Sequence, residues 1–215
     1  MEVPHSWGTT QGRLFEAQAR RDFSGFNDLG ITLSVNLFGA PSMTPKDFME
    51  FRAKPHSLLG ASIRVLAPTG RYEQGRLINV GTNRWSFKSE LGYTMPLTKK
   101  WILELDLGAW FFTADNDFIM GKRKQNPILA VQAHLVRRFK AGFWAALDVN
   151  YFTGGQQTIG GGQLIDWQHS SRIGGTVVVP FLGRHAIKAG YSYGAYTKFG
   201  NDFNQFQLSY IVRLN

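Results

Sequence analysis

Acidic residues and a histidine are the side chains of this 215-residue chain whose types and spacing could do chemistry. Glu104, Asp106 and Asp148 could act as general acids or bases, and His134 could activate a serine as in a barrel lipase. However, no G-x-S-x-G or comparable nucleophile context stands beside His134, and charged residues recur on most of the predicted strands. We therefore assign no catalytic residue and expect that the protein is not an enzyme.

Metal and phosphate sites are not indicated by the sequence. The five histidines lie at unrelated places without the spacing of metal ligands. The run Asp115-Asn116-Asp117 could hold calcium, but it lacks the rest of an EF-hand pattern, so turn chemistry is favoured. The glycine clusters at 154–155 and 160–162 lack a following phosphate-loop lysine and serine and indicate a mobile loop. We expect no metal and no cofactor.

The alternation of apolar and polar residues indicates how the acidic residues are positioned. Leu103, Leu105 and Leu107 alternate with Glu104 and Asp106, which is the period of two of a β-strand. Patterns of this kind predict ten strands, at 12–21, 28–38, 57–69, 82–94, 101–113, 127–138, 142–153, 168–180, 185–198 and 203–214. Most reach the roughly 9 to 11 residues that a tilted strand needs to cross a bilayer.

Composition favours a membrane barrel over a soluble sandwich, although alternation alone fits both. Charged residues make up 18% of the chain, below the about 25% of ordinary soluble domains. No run of 18 apolar residues is present, so we expect no transmembrane helix. We predict one all-β domain over residues 1–215, a transmembrane antiparallel up-and-down β-barrel.

Predicted connections alternate between short and long, as in outer-membrane barrels whose short turns are periplasmic. The link 39–56 is long although it lies on the short-turn side. Its run Thr44-Pro45-Lys46-Asp47 supplies an N-cap, a proline at the first helical position and an acid in the first turn. We predict a short periplasmic helix near 44–52 that could cap the barrel mouth.

Two classes of side chain are expected on opposite faces of the barrel wall. Aromatic girdles should face lipid at the two rims, formed by Trp85, Phe87, Tyr93, Trp101, Phe111, Phe139, Phe143 and Tyr151. Charged and polar residues should line the lumen: Arg64, Lys88, Glu90, Glu104, Asp106, His134, Asp148, Arg172 and Lys188. Either this network pairs its charges and stiffens or plugs the barrel, or it selects a solute, and its mixed sign argues against a simple anion or cation pore.

The net charge of +9 and pI near 9.9 raise the possibility of nucleic-acid binding. The basic residues are spread over the predicted strand ends, where they would meet anionic lipid headgroups or lipopolysaccharide phosphates. The chain has no cysteine, which fits an oxidising compartment. We expect membrane partners and no nucleic acid.

Several short segments, in order along the chain, carry a family resemblance. They are Gly25-Phe26-Asn27-Asp28, Val35-Asn36-Leu37-Phe38-Gly39-Ala40-Pro41, Ala67-Pro68-Thr69-Gly70-Arg71-Tyr72, Asn79-Val80-Gly81-Thr82-Asn83-Arg84-Trp85, Glu90-Leu91-Gly92-Tyr93, Asn116-Asp117-Phe118 and Gly154-Gly155. The chain resembles the outer-membrane barrel family named for the meta-pathway of phenol degradation. The resemblance implies a Gram-negative outer-membrane barrel that takes up hydrophobic or aromatic compounds, and it supplies no catalytic residues. Because family members carry further strands upstream, it also implies that an N-terminal hairpin of a 12-strand barrel is missing here.

The sequence therefore predicts an outer-membrane channel for passive uptake of small hydrophobic or aromatic compounds. A structural or surface-interaction barrel with a plugged lumen is the alternative, and a barrel hydrolase is less favoured. The expected partners are membrane lipids, lipopolysaccharide, the outer-membrane assembly machinery and small apolar or aromatic solutes.

Overall fold

β-Strands dominate the computed structural model, which describes residues 1–14, 17–44, 47, 51, 54, 56–76, 78–198 and 203–212. The strands are β1 (His5–Leu14), β2 (Ala17–Phe26), β3 (Leu29–Phe38), β4 (Leu58–Ala67), β5 (Ser86–Pro96), β6 (Trp101–Phe112), β7 (Arg123–Gln125), β8 (Ile128–Lys140), β9 (Phe143–Gly154), β10 (Gln157–Ile159), β11 (Gly162–Gln163), β12 (Gln168–Phe181), β13 (His185–Thr197) and β14 (Gln205–Val212). In these ranges, no helix has the length and apolar character to cross a membrane.

Nine long strands form one antiparallel sheet in the order β3-β4-β5-β6-β8-β9-β12-β13-β14. Each strand pairs with the long strand next to it along the chain, so the sheet is an up-and-down meander. The short strands β7, β10 and β11 form a second sheet, and β1 pairs with β2 alone. The predicted all-β, up-and-down architecture is confirmed. Within the described residues, the edge strands β3 and β14 are not paired with each other.

The pairing of β5 with β6 shows how the sequence builds two different faces. Leu91 lies opposite Leu107, and Gly92 lies opposite Asp106. The Leu107 side chain is exposed on the convex face, where its residue retains 58% of its accessible surface. A Cβ on Gly92 would lie 2.6 Å from Asp106 Oδ1, so glycine leaves the space that the carboxylate occupies. Aliphatic residues thus cover one face, and acids with small residues opposite them cover the other.

The sheet is apolar on the outside. In the described part of the chain, the buried hydrophobic residues are Ala130, Val136 and Val178. In contrast, each of the nine sheet strands carries at least one exposed large hydrophobic side chain. A continuous apolar surface of this kind would aggregate in water, but it matches the acyl chains of a bilayer.

The connections differ at the two ends of the sheet. Short turns define what we call the turn end, at 97–100, 141–142 and 182–184, and the 39–57 link lies there too. Long links define the loop end, at 68–85, 113–127 and 155–167, and they include β7, β10 and β11. The predicted alternation of short and long connections is therefore present.

The helix predicted near 44–52 lies largely outside the described residues. Two contacts are described at its start: the Asp47 amide donates to Thr44 Oγ1 at 3.3 Å, and the Thr44 hydroxyl donates to Asp47 Oδ2 at 2.7 Å. These are the contacts of an N-cap threonine with the third residue after it.

The strand predicted at 12–21 is wrong, because residues 5–14 and 17–26 form the two strands of the β1–β2 hairpin instead. This hairpin packs on the loop end. Arg21 Nη2 lies 3.6 Å from Glu73 Oε2, and the Arg71 amide donates to the carbonyl of Phe26 at 2.9 Å. Arg20 is exposed on one side of β2 while Arg21 faces the loop, so β2 has a polar residue on each of its faces.

The other nine predicted strands match the sheet strands within a few residues. The largest difference is the start of β5, at Ser86, because Thr82 and Arg84 are held in the loop end. The glycine segment predicted to be a mobile loop contains β10 and β11, which pair with each other. Gly154 and Gly155 have φ values of 110° and 73°, a left-handed backbone that favours glycine.

Candidate functional site

A cavity of about 1210 Å³ lies on the concave face of the nine-stranded sheet. Its lining residues come from eight strands, from Leu58 on β4 around to Gln205 and Gln207 on β14. The curvature of the sheet therefore brings strands near its opposite edges to one shared space. The cavity extends from the turn end to the middle of the strands, since Gly142 and His134 both line it.

The turn-end half of the cavity has apolar side chains together with three cations, Lys54, Arg138 and Lys140. Its apolar lining residues are Phe51, Leu58, Ile102, Val136, Phe143 and Trp144. Phe51 belongs to the 39–57 link, and its ring lies 3.6 Å from that of His56, which also lines the cavity. The link therefore reaches the mouth of the cavity at the turn end, where the sequence placed a cap.

Halfway along the strands, the wall becomes polar. Glu104, His134 and Asp148 lie side by side, because Glu104 pairs with His134 between β6 and β8, and His134 pairs with Asp148 between β8 and β9. Asp106 is two residues beyond Glu104 on the same face. We call Glu104, Asp106, His134 and Asp148 the mid-cavity cluster, and all four line the cavity.

His134 is held between two carboxylates of this cluster. Its Nδ1 lies 2.6 Å from Asp148 Oδ1, and its Nε2 lies 3.7 Å from Asp106 Oδ2. The Thr176 hydroxyl donates to Asp148 Oδ2 at 2.7 Å, not to the histidine. A histidine general base needs a nucleophile within hydrogen-bond reach, and the partners described for His134 are acids.

The two lysines predicted for the lumen differ in their positions. Lys188 lines the cavity near the cluster. Lys88 pairs with Glu90, and Gln132 Nε2 also donates to Glu90 Oε2 at 3.2 Å. This pair lies on the same face of β5 but outside the cavity lining.

Both arginines predicted for the lumen are engaged elsewhere. Arg64 forms a two-point ion pair with Glu2, at 2.6 and 3.2 Å. Arg172 donates to the Phe203 carbonyl at 2.9 Å and to Ser192 Oγ at 3.1 Å, and its guanidinium lies 4.0 Å from the centre of the Phe203 ring. Neither lines the cavity. The structure therefore separates these two arginines from the mid-cavity cluster.

The predicted girdle residues lie near the ends of the strands. Six of them are exposed: Trp85, Phe87, Tyr93, Phe111, Phe139 and Tyr151. Trp101 and Phe143 are half-buried. Arg137 lies 5.1 Å above the Trp101 ring, and Phe143 stacks on Phe139 at 4.7 Å and also reaches the cavity mouth.

The loop end contains a buried polar network that the sequence did not predict. Asp115 is fully buried, and its carboxylate accepts hydrogen bonds from Asn83 Nδ2 at 2.9 Å, the Tyr72 hydroxyl at 3.1 Å and Arg123 Nη2 at 3.3 Å. We call Tyr72, Asn83, Asp115 and Arg123 the loop-end latch. Burial, and then the neighbouring Asp115, raises the pKa of the Tyr72 phenol, which favours the protonated, donating form.

A second buried acid joins the same loops to the sheet. Asp28, between β2 and β3, accepts hydrogen bonds from the amides of Gly70 and Thr82, both at 2.9 Å, and from the Thr82 hydroxyl at 2.6 Å. Arg84 donates to Gln125 at 2.5 Å. Burial lowers the pKa of the Arg84 guanidinium to about 10, so the group still carries its charge at neutral pH. Two of the long links, 68–85 and 113–127, are thus tied together over the loop end of the sheet.

The acidic turn at 115–117 uses its carboxylate for this purpose. Asp115 Oδ1 also accepts the Asp117 amide at 3.1 Å, which is the local turn bond expected of aspartate. Nothing in the sequence around Asp115 marks it as buried, because its partners Tyr72, Asn83 and Arg123 come from outside the turn.

These features define the class of protein: an antiparallel membrane β-barrel fold with an apolar outer face and a polar inner one. The family model described as "Putative MetA-pathway of phenol degradation" matches residues 7–209, and the chain belongs to this family.

A solved structure, the COG4313 outer membrane channel from Pseudomonas putida F1, has a similar fold. The TM-score is 0.75 at 20% sequence identity, and the match covers 96% of this chain and 72% of that one. A search of curated proteins found no match.

Proposed function

We propose that this protein is a channel in the outer membrane of a Gram-negative bacterium, which admits small hydrophobic or aromatic compounds by passive diffusion. The cavity carries this proposal, because aromatic and aliphatic side chains at its turn end and a polar cluster halfway along the strands suit a molecule with an apolar ring and a polar substituent. Support also comes from the similar solved structure, which is described as an outer membrane channel, and from the family's description, which refers to phenol degradation.

The route follows from the two ends of the sheet. In outer-membrane barrels the short turns face the periplasm and the long loops face outward. A solute would enter at the loop end, pass the mid-cavity cluster and leave beside Phe51 and His56 at the turn end. No bond is made or broken along this route, so the proposed function is transport and not catalysis.

The proposed partners follow from the surface. The apolar convex face would contact membrane lipids, and Lys122 and Lys124, exposed at the loop end, would meet lipopolysaccharide phosphates. The outer-membrane assembly machinery would insert the barrel. Nucleic acid is not a proposed partner.

A second candidate function is a structural or surface-interaction barrel with a plugged lumen. The loop-end latch favours it, since a fully buried Asp115 with three side-chain partners fixes the loops across the loop end.

Single-channel recording in planar bilayers separates the two candidates. We expect the purified, folded protein to give discrete conductance steps. If protein that shows the heat-dependent gel shift of a folded barrel gives no steps, the channel proposal fails and the plugged barrel is favoured.

A further inference from the structure

We propose that the carboxylates of the mid-cavity cluster make the pathway select neutral hydroxylated aromatics over aromatic carboxylates. This inference rests on the proposed channel function and names the solute class that the channel passes. It concerns Glu104 and Asp106 on β6 and Asp148 on β9, two strands that are separated by β8.

The cluster carries an excess of negative charge where it faces the cavity. Three carboxylates line the cavity at this level, together with the neutral or singly charged His134 and with Lys188. The other cations predicted for the lumen do not compensate them, because Lys88 pairs with Glu90, Arg64 pairs with Glu2, and Arg172 binds Ser192 and Phe203. The pairing pattern therefore turns a balanced set of residues into a locally anionic patch on the wall formed by β6, β8 and β9.

Further cations lie nearer the turn end. Lys54, Arg138 and Lys140 line the cavity there. Arg138 is four residues from His134 along β8, which at about 3.3 Å per residue is roughly 13 Å. That separation places Arg138 at a different level of the cavity from the carboxylates.

Glu104 provides the feature that favours a hydroxyl group. Within the described part of the chain, its carboxylate has no hydrogen-bond or ion-pair partner, although it faces the cavity. An ionised carboxylate accepts hydrogen bonds and donates none. A phenol hydroxyl can donate to it, whereas a solute carboxylate cannot donate and is repelled by the like charge.

A matched pair of solutes isolates the charge. 4-Hydroxyphenylacetamide and 4-hydroxyphenylacetate have nearly the same shape, but only the second is an anion at neutral pH. Influx into vesicles that contain the folded protein would be measured for each and corrected with protein-free vesicles. We expect the wild-type protein to pass the amide about tenfold faster than the acid, since charged clefts change local solute concentration by about 10 to 10³.

Neutralising substitutions test the residues. Glu104→Gln with Asp106→Asn should raise the acid-to-amide rate ratio about tenfold, and each single substitution should raise it in part. The single variants also test the proposal if the double variant fails to fold. Asp22→Asn removes the same charge from an exposed site on the β1–β2 hairpin and should leave both rates unchanged.

The outcomes distinguish this inference from the proposed function. Equal passage of acid and amide by the wild type, or an unchanged ratio in the folded variants, overturns the selectivity and leaves the channel standing. Passage of neither solute by folded wild-type protein overturns the channel proposal and the selectivity with it.

Discussion

Asp115 shows how a single buried charge can organise a surface region. Removing a carboxylate from water is costly, and the cost is offset only when charges and donors surround it. Tyr72, Asn83 and Arg123 supply these donors from both sides of β5 and β6 along the chain. Together with the contacts of Asp28, this centre holds the loops by buried polar interactions.

Replacing Asp115 by alanine should open the loop end. Because the half-buried Arg123 would lose its counter-charge, we expect a loss of up to about 3 kcal/mol in unfolding free energy, measured by urea titration in micelles. The loosened loops should also increase the frequency of conductance steps.

Asp117→Ala is the matched control, since this neighbouring acid is exposed and the contacts described for it are made by its backbone. Equal losses in the two variants would show that the latch has no special role.

Alternation alone decides which face of a strand a side chain lies on. Glu104, Asp106, His134 and Asp148 were placed on the inner face from periodicity, and the structure brings them together. The sequence did not predict that Arg64 and Arg172 lie apart from that cluster, because their partners Glu2 and Phe203 lie in distant segments. The sequence did not predict the loop-end latch for the same reason, since its residues come from separate loops.

At the scale of the element, β6 carries the two functions of the wall. Leu105 and Leu107 are exposed on the convex face, while Glu104 and Asp106 line the cavity. The same 12-residue strand therefore both contacts the surroundings of the sheet and shapes its interior.

Leu107→Arg tests whether that convex face contacts lipid. At the midplane of a bilayer, an arginine on the lipid face of a barrel costs about 2 to 4 kcal/mol. We expect a loss of this size in the folding free energy of the protein in phospholipid vesicles. Leu97→Arg is the control, because Leu97 is similarly exposed but lies in the β5–β6 turn. Equal stability of both variants would contradict a lipid-facing sheet.

The strands that were predicted correctly share one property: one face is continuously apolar. The β1–β2 hairpin was mispredicted because it packs on another loop of the protein, which the local pattern does not reveal. The short strands β7, β10 and β11 have two or three residues each, too few for a period of two to be recognised. Local pattern thus identifies the wall, and tertiary contacts decide the loop end.

At the scale of the whole molecule, the open edges of the sheet raise a question of hydrogen bonding. In the described residues, the backbone N–H and C=O groups at the free edge of β3 are not paired with those at the free edge of β14. In a bilayer, each unsatisfied backbone group costs several kcal/mol. The edges must therefore find partners in the membrane, either each other or further strands.

Hydrogen exchange would detect those partners. We expect the backbone amides of β3 and β14 in membrane-inserted protein to exchange about as slowly as those of the central strand β8. Exchange within seconds at both edge strands, with β8 still protected, would show that β3 and β14 have no backbone partners in the membrane.

In the proposed orientation, the loop-end latch also determines what a cell presents to its surroundings. Residues from separate loops are fixed side by side around Asp115. A binder raised against this surface would recognise a folded epitope. It would therefore bind the intact protein and fail to bind the same sequence as a synthetic peptide.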